Sequence, residues 1–164
     1  MRNLYIDFDG VIMNTIDITY NDMIKKGINQ DSQEEVRNYY ANINWSKLLE
    51  EAEIINDGIN AINNIISSNK YNVSILSHVN SLHEAVEKIK FLRKYFKDMT
   101  IIPVPRELSK TEMVHVHDSI LIDDYAGNLD EWKNKGGISI RFNRNLQGKG
   151  YPVIDKLDQI LEIL

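Results

Sequence analysis

The stretch YIDFDGVIMNT, residues 5–15, runs from an apolar segment directly into two aspartates, Asp7 and Asp9, separated by Phe8 and followed at once by Gly10. In an extended strand, residues two apart face the same side. Two carboxylates about 5 Å apart repel by about 3 kcal/mol at an effective dielectric of about 20. A chain tolerates this pair if a cation sits between the acids, if one stays protonated, or if water screens both. Phe8 falls on the opposite side and is expected to pack, while Gly10 permits a tight turn.

Four more short runs rich in Ile and Val follow this first one: residues 72–76, 100–104, 119–122 and 138–142, with 4–6 as the first. Amphipathic stretches separate them, the pattern of a parallel sheet wrapped in helices. The pattern predicts an α/β, Rossmann-like, five-stranded parallel sheet. Ile59, Ile62, Ile65 and Ile66 make one helical stripe, with Asp57 placed to cap it. Leu82, Ala85, Val86, Ile89, Leu92 and Phe96 make a second behind Ser81, and Val153, Leu157, Ile160, Leu161 and Leu164 a closing helix. All three read as faces packed on the sheet.

Between the first strand and the helix near Asn60 lie about forty residues without a strand-like run, too many for a plain connection. Three segments there have helical character, with Gly27 as a stop and Ser32 with Glu35 as a capping box. The expected organisation is a core of residues 1–13 and 57–164 carrying a small helical insertion, residues 14–56. That insertion is expected above the C-terminal sheet edge, where open α/β sheets bind ligands.

The 164 residues suffice for one domain, and 43% hydrophobic with 26% charged residues describe a soluble globular chain. A net charge of −5 argues against extended nucleic-acid binding, which wants a basic face. The absence of cysteine excludes disulfides, thiolate metal sites and cysteine nucleophiles. No segment reads as a signal peptide or membrane span, so a cytoplasmic location is expected.

Several strand ends carry polar residues that packing does not demand. The first delivers Asp7 and Asp9, the second Ser77 and His78, the fourth Asp123 and Asp124; the segment PRELSK after the third brings Arg106 and Lys110. Parallel strands bring these ends to one edge. Hard oxygen ligands without His or Cys suit Mg²⁺, which binds through one or two carboxylates plus a phosphate. A carboxylate can attack phosphorus, and a hydroxyl and an ammonium can hold the remaining phosphoryl oxygens.

In that order these motifs resemble the haloacid dehalogenase (HAD) superfamily of phosphohydrolases: DFDGV as the first motif, SILS as the second, SK of PRELSK as the lysine motif, and LIDDYAGN as the acidic fourth. The resemblance implies Asp7 as nucleophile and Asp9 as general acid, then base, with its backbone carbonyl on the metal. It implies Ser77 and Lys110 on the phosphoryl group, Asp124 as direct Mg²⁺ ligand and Asp123 nearby. Asn128 stands where relatives often carry a further acid, and would hydrogen-bond a metal-bound water. The dehalogenases themselves lack the second acid of the first motif, so Asp9 speaks against dehalogenation.

The insertion matches the place of a C1-type cap, and IDDYAGN…W…GGISIRF looks most like 5′-nucleotidases of the deoxyribonucleotidase type. The implied partner is a small phosphorylated substrate such as a nucleoside 5′-monophosphate. Gly10, His78, Arg106 and Asn128 are candidate contacts, and Thr15, Tyr20, Tyr39, Tyr40 and Trp45 offer aromatic or polar surface to a base. Other uses of the scaffold are a phosphotransferase, a phosphomutase or a polynucleotide-end phosphatase. The alternative outside catalysis is a non-catalytic phosphate-binding or receiver-like signalling module; a receiver also combines an acceptor aspartate, a hydroxyl and a lysine, but lacks the insertion after its first strand.

Overall fold

β1 (Arg2–Ile6) forms where side chains alternate between two apolar environments: Leu4 and Ile6 enter the larger core cluster, and Tyr5 the smaller one with Leu121 and Trp132. A strand buried on both faces must be apolar throughout, which is why this run shows no polar alternation. The computed structural model describes residues 1–164. Its other strands are β2 (Tyr71–Val79), β3 (Thr100–Pro105), β4 (Ile120–Asp123), β5 (Ile138–Phe142) and β6 (Val153–Ile154). They form one parallel sheet in the order β3-β2-β1-β4-β5-β6. The chain leaves β1 toward β2 on one side and returns to β4 on the other, so the strand order reverses beside β1.

The sheet has six strands rather than the expected five. Val153 and Ile154, assigned from sequence to a closing helix, pair instead with Arg141 and Phe142. Backbone bonds from Arg141 to Pro152 (2.8 Å) and from Asn143 to Ile154 (2.9 Å) hold this edge. Two residues are too few to display a period, so the strand is invisible to pattern reading. The closing helix is correspondingly short: a 3₁₀ turn, Leu157–Gln159, then α7 (Ile160–Ile163).

The segment after β1 contains α1 (Thr15–Lys25), α2 (Gln33–Asn42) and α3 (Trp45–Glu51). Ser32 caps α2 by accepting from the Glu35 amide, and Gly27 ends the turn after α1 at φ 67°. The core helices are α4 (Gly58–Ser67), α5 (Leu82–Arg93) and α6 (Ala126–Asn134). Two expectations for them need correction. Asp57 does not cap α4; at φ 56° its backbone is left-handed, and its carboxylate takes the Asn60 side-chain amide instead. Only part of the apolar stripe of α5 is buried: Ala85, Leu92 and Phe96 pack as expected, but Leu82 is 80% exposed and Val86 is exposed, while Glu84 and Lys88 are buried. Ser81 caps that helix as expected.

Candidate active site

Asp7 is the first residue beyond β1, and its amide still donates to Ile122 of β4 at 3.0 Å. The chain then folds back on itself. The amides of Val11, Ile12 and Met13 all converge on the Phe8 carbonyl, and Gly10 adopts φ 75°. Only glycine enters this left-handed region freely, and a Cβ at position 10 would overlap the Asp124 carboxylate. Phe8 is fully buried, edge-on to Phe91, so the intervening residue packs as its alternation requires.

Lys110 lies in a 3₁₀ turn started by Ser109, whose hydroxyl caps the turn while Glu112 bonds back to the Ser109 amide. That box aims a buried ammonium inward. Its Nζ donates to Asp7 Oδ1 and to Asp123 Oδ2, each at 2.7 Å. Burial alone would lower the Lys110 pKa, but Asp123 and Asp7 outweigh it and hold the group above its ordinary range. Asp123 is the most bonded of the acids, with one lone pair of Oδ1 left over: Oδ2 also accepts from Asn128 Nδ2 (3.0 Å) and Oδ1 from the Tyr125 amide (2.9 Å). Asp124 receives no hydrogen bond, and neither does Asp7 Oδ2. Burial, then repulsion from Asp123, raises Asp7 to about 7. Burial, then Asp7 and Asp123, raises Asp124 to about 9.

Asp9 is held apart from this cluster. Its Oδ1 accepts from Thr15 Oγ1 at 2.7 Å, and its Oδ2 from Lys88 Nζ at 2.6 Å. The repulsion posed by the two acids is thus resolved separately for each, with Lys110 on Asp7 and Lys88 on Asp9. Lys88 was not legible as a site residue. With Glu84 four positions earlier it reads as an ordinary surface pair on a helix, yet both are almost wholly buried. Ser77 is buried beside them and accepts from Lys88 at 3.1 Å. Burial would lower the Lys88 pKa, but Asp9 and Glu84 reverse the sign and raise it.

A cavity of about 530 Å³ opens over these groups, lined by Asp7, Asp9, Asp123, Asp124, His78, Arg106 and Asn128 among others. Its volume lies within the range of small-ligand sites. Ser77 and Lys110 do not reach its wall and connect to it through the acids. The inserted helices contribute Thr15, Tyr40 and Trp45, as anticipated, together with Arg37, which sequence reading passed over. Tyr20 is exposed and Tyr39 is occupied with Asp22, so neither faces the cavity. His78 Nε2 meets the Leu108 carbonyl at 2.8 Å, and burial lowers its pKa. His83 accepts the Trp45 amide, which seats α3 on α5.

One oxygen each from Asp7, Asp123 and Asp124 lies within 4.8 Å of the others. Around the cavity, five carboxylates (these three with Asp9 and Glu84) stand against two lysines and the two arginines Arg37 and Arg106, and the acids crowd together at one end. An all-oxygen set with one unpartnered carboxylate and unbonded Asp7 Oδ2 fits a hard divalent cation such as Mg²⁺. Asp9 could join only through its backbone, its side chain being tied to Thr15 and Lys88.

No protein-family model matches this chain, and no curated protein matches its sequence. Solved structures do resemble it. A HAD phosphatase from Thermococcus onnurineus superposes with a TM-score of 0.64 at 15% identity, over 99% of this chain and 97% of the other. A HAD-superfamily hydrolase of subfamily IA from Geobacter sulfurreducens gives 0.64 at 13% identity, over the whole of both chains. A protein described as a HAD-hydrolase from Bacillus subtilis, bound to magnesium, gives 0.62 at 14%, over 99% and 98%. At such identities the likeness establishes a shared fold, the Rossmann-like α/β architecture of HAD hydrolases.

Proposed function

We propose that this chain is a Mg²⁺-dependent phosphomonoester hydrolase acting through an aspartyl phosphate, with residues 14–56 serving as a cap over the site. The observation that carries the reading is the pairing of Asp7 with Lys110, 2.7 Å apart at the head of the cavity, beside the unpartnered carboxylate of Asp124. Asp7, Asp123 and Asp124 would hold the ion, which would offset the charge of the phosphate and polarise it.

Asp7 Oδ2, the oxygen free of Lys110, attacks phosphorus while the bond to the leaving oxygen breaks. Asp9 gives the leaving oxygen a proton carried on Oδ1, the oxygen met only by the Thr15 hydroxyl, while Oδ2 stays on Lys88. Water then attacks phosphorus, Asp9 takes the proton back from it, and the bond to Asp7 breaks to release inorganic phosphate. Lys110 keeps Asp7 oriented and offsets charge on the phosphoryl group from behind it, and the Ser77 hydroxyl, set back from the wall, would turn from the His78 carbonyl to donate to it.

Tyr40, half-buried at the cavity, favours a leaving group with a flat face, and hence a nucleoside 5′-monophosphate over a simple sugar phosphate, whereas Trp45 is buried under Lys88. The test is direct. Purified protein should hydrolyse p-nitrophenyl phosphate with Mg²⁺, stop with chelator, and fall to background as Asp7→Asn. Metal-independent turnover or an active Asp7→Asn variant would refute the mechanism. The nucleotide preference fails if no nucleoside monophosphate outperforms sugar phosphates.

A further inference from the structure

The buried pair Lys88–Glu84 lies outside the motifs that define the site, yet it touches two of their members. Lys88 Nζ has four acceptors: Asp9 Oδ2 and Glu84 Oε2 at 2.6 Å, Ser77 Oγ and the His78 carbonyl at 3.1 Å. It also lies over the Trp45 ring (4.8 Å) and the Phe8 ring (5.2 Å). Glu84 is anchored in turn by the Asn80 amide (2.8 Å) and side chain (3.1 Å). The ammonium is therefore fixed from every side.

A buried ion pair is seldom kept for stability, since well-packed apolar residues of similar volume do as well. What this one does is directional. Lys88 fixes Asp9 Oδ2 and so sets the orientation of the carboxyl, while Oδ1 meets only the Thr15 hydroxyl, which can turn from donor to acceptor and leave that oxygen to carry a proton. Lys88 also donates to Ser77, whose own proton goes to the His78 carbonyl at 3.4 Å, a long bond that a better acceptor can displace. Lys88 does not line the cavity, so it acts on both groups from behind them.

We infer that Lys88, braced by Glu84, is a positioning residue that sets the carboxyl of Asp9 and the hydroxyl of Ser77 for reaction. This rests on the proposed role of Asp9 as acid. A general acid matters most when the leaving oxygen is basic, and least for nitrophenolate, which departs without a proton. The value of kcat/KM reports the steps through leaving-group departure, so comparing two substrates isolates this role.

Lys88→Met should lower kcat/KM for a primary alkyl phosphate by about 100-fold, and for p-nitrophenyl phosphate by less than about 10-fold. Equal losses on both substrates, or no loss on either, would overturn the inference. Because Lys88→Met strands a buried glutamate, the double variant Glu84→Leu/Lys88→Met removes both charges and carries the same comparison. If neither variant folds, Lys88 belongs to the core alone and the inference is wrong. Asp9→Asn separates the two levels. If it discriminates between the substrates and Lys88→Met does not, only the positioning role fails. If Asp9→Asn does not discriminate, the acid assignment itself fails.

Discussion

Lys110→Met tests the electrostatics of the site most sharply. Lys110 is 1% exposed and bridges Asp7 and Asp123, both buried. Removing one partner of a buried pair typically costs about 3–5 kcal/mol, because the remaining charge is left uncompensated. Two features hold the loss to the lower end. Asp7, already raised to about 7, can take up a proton near neutral pH, and Asp123 keeps its bonds to Asn128 and the Tyr125 amide. A loss of about 3 kcal/mol follows, which for a chain of this size lowers the melting temperature by about 6–12 °C. The assay is thermal unfolding in chelator at neutral pH, repeated with saturating Mg²⁺, where the added cation should recover part of the difference. Adding Asp123→Asn to Lys110→Met should restore part of the stability without Mg²⁺, since it removes the stranded charge. A Lys110→Met protein melting within about 2 °C of the parent in chelator would refute this account of the buried triad.

Two further outcomes follow from the same geometry. Gly10→Ala should destabilise the fold by about 1–2 kcal/mol, from a left-handed backbone and an overlap with Asp124. It should also weaken Mg²⁺ binding measured by calorimetry, and unchanged affinity would contradict the placement of Asp124 at the ion. In metal-free protein, Asp7 at about 7 and Asp124 at about 9 hold protons that the unfolded chain has released. The folded state therefore binds more protons between about pH 4 and pH 9, and stability falls as pH rises through that window. Mg²⁺ competes with those protons, so its stabilisation should be larger near pH 8.5 than near pH 5.5; equal shifts in melting temperature at the two would contradict it.

The sequence alone determined which strand ends carry polar residues that packing does not demand. An apolar run buried on both faces has a local signature, and a run ending in DFD or IDD announces its polar residues at once. Parallel strands then converge by topology, so Asp7, Lys110, Asp123 and Asp124 could be grouped before any coordinate was known. The insertion was legible for a similar reason: its length and its caps are local facts.

Tertiary structure decided the rest, because the missing information was burial. Glu84 and Lys88 follow the spacing of a solvated helical pair, and nothing in their neighbourhood along the chain says that Phe8 and Trp45 will cover Lys88. The same rotation of α5 leaves Leu82 in solvent. The edge strand β6 escaped notice because two residues have no period, and its existence depends on the exposed edge of β5. The charges that make DFD tolerable come from residues 79 and 103 positions away. Their pairing is a property of the fold, and it decides that Asp7 and Asp9, two positions apart, meet different cations and can be given different work.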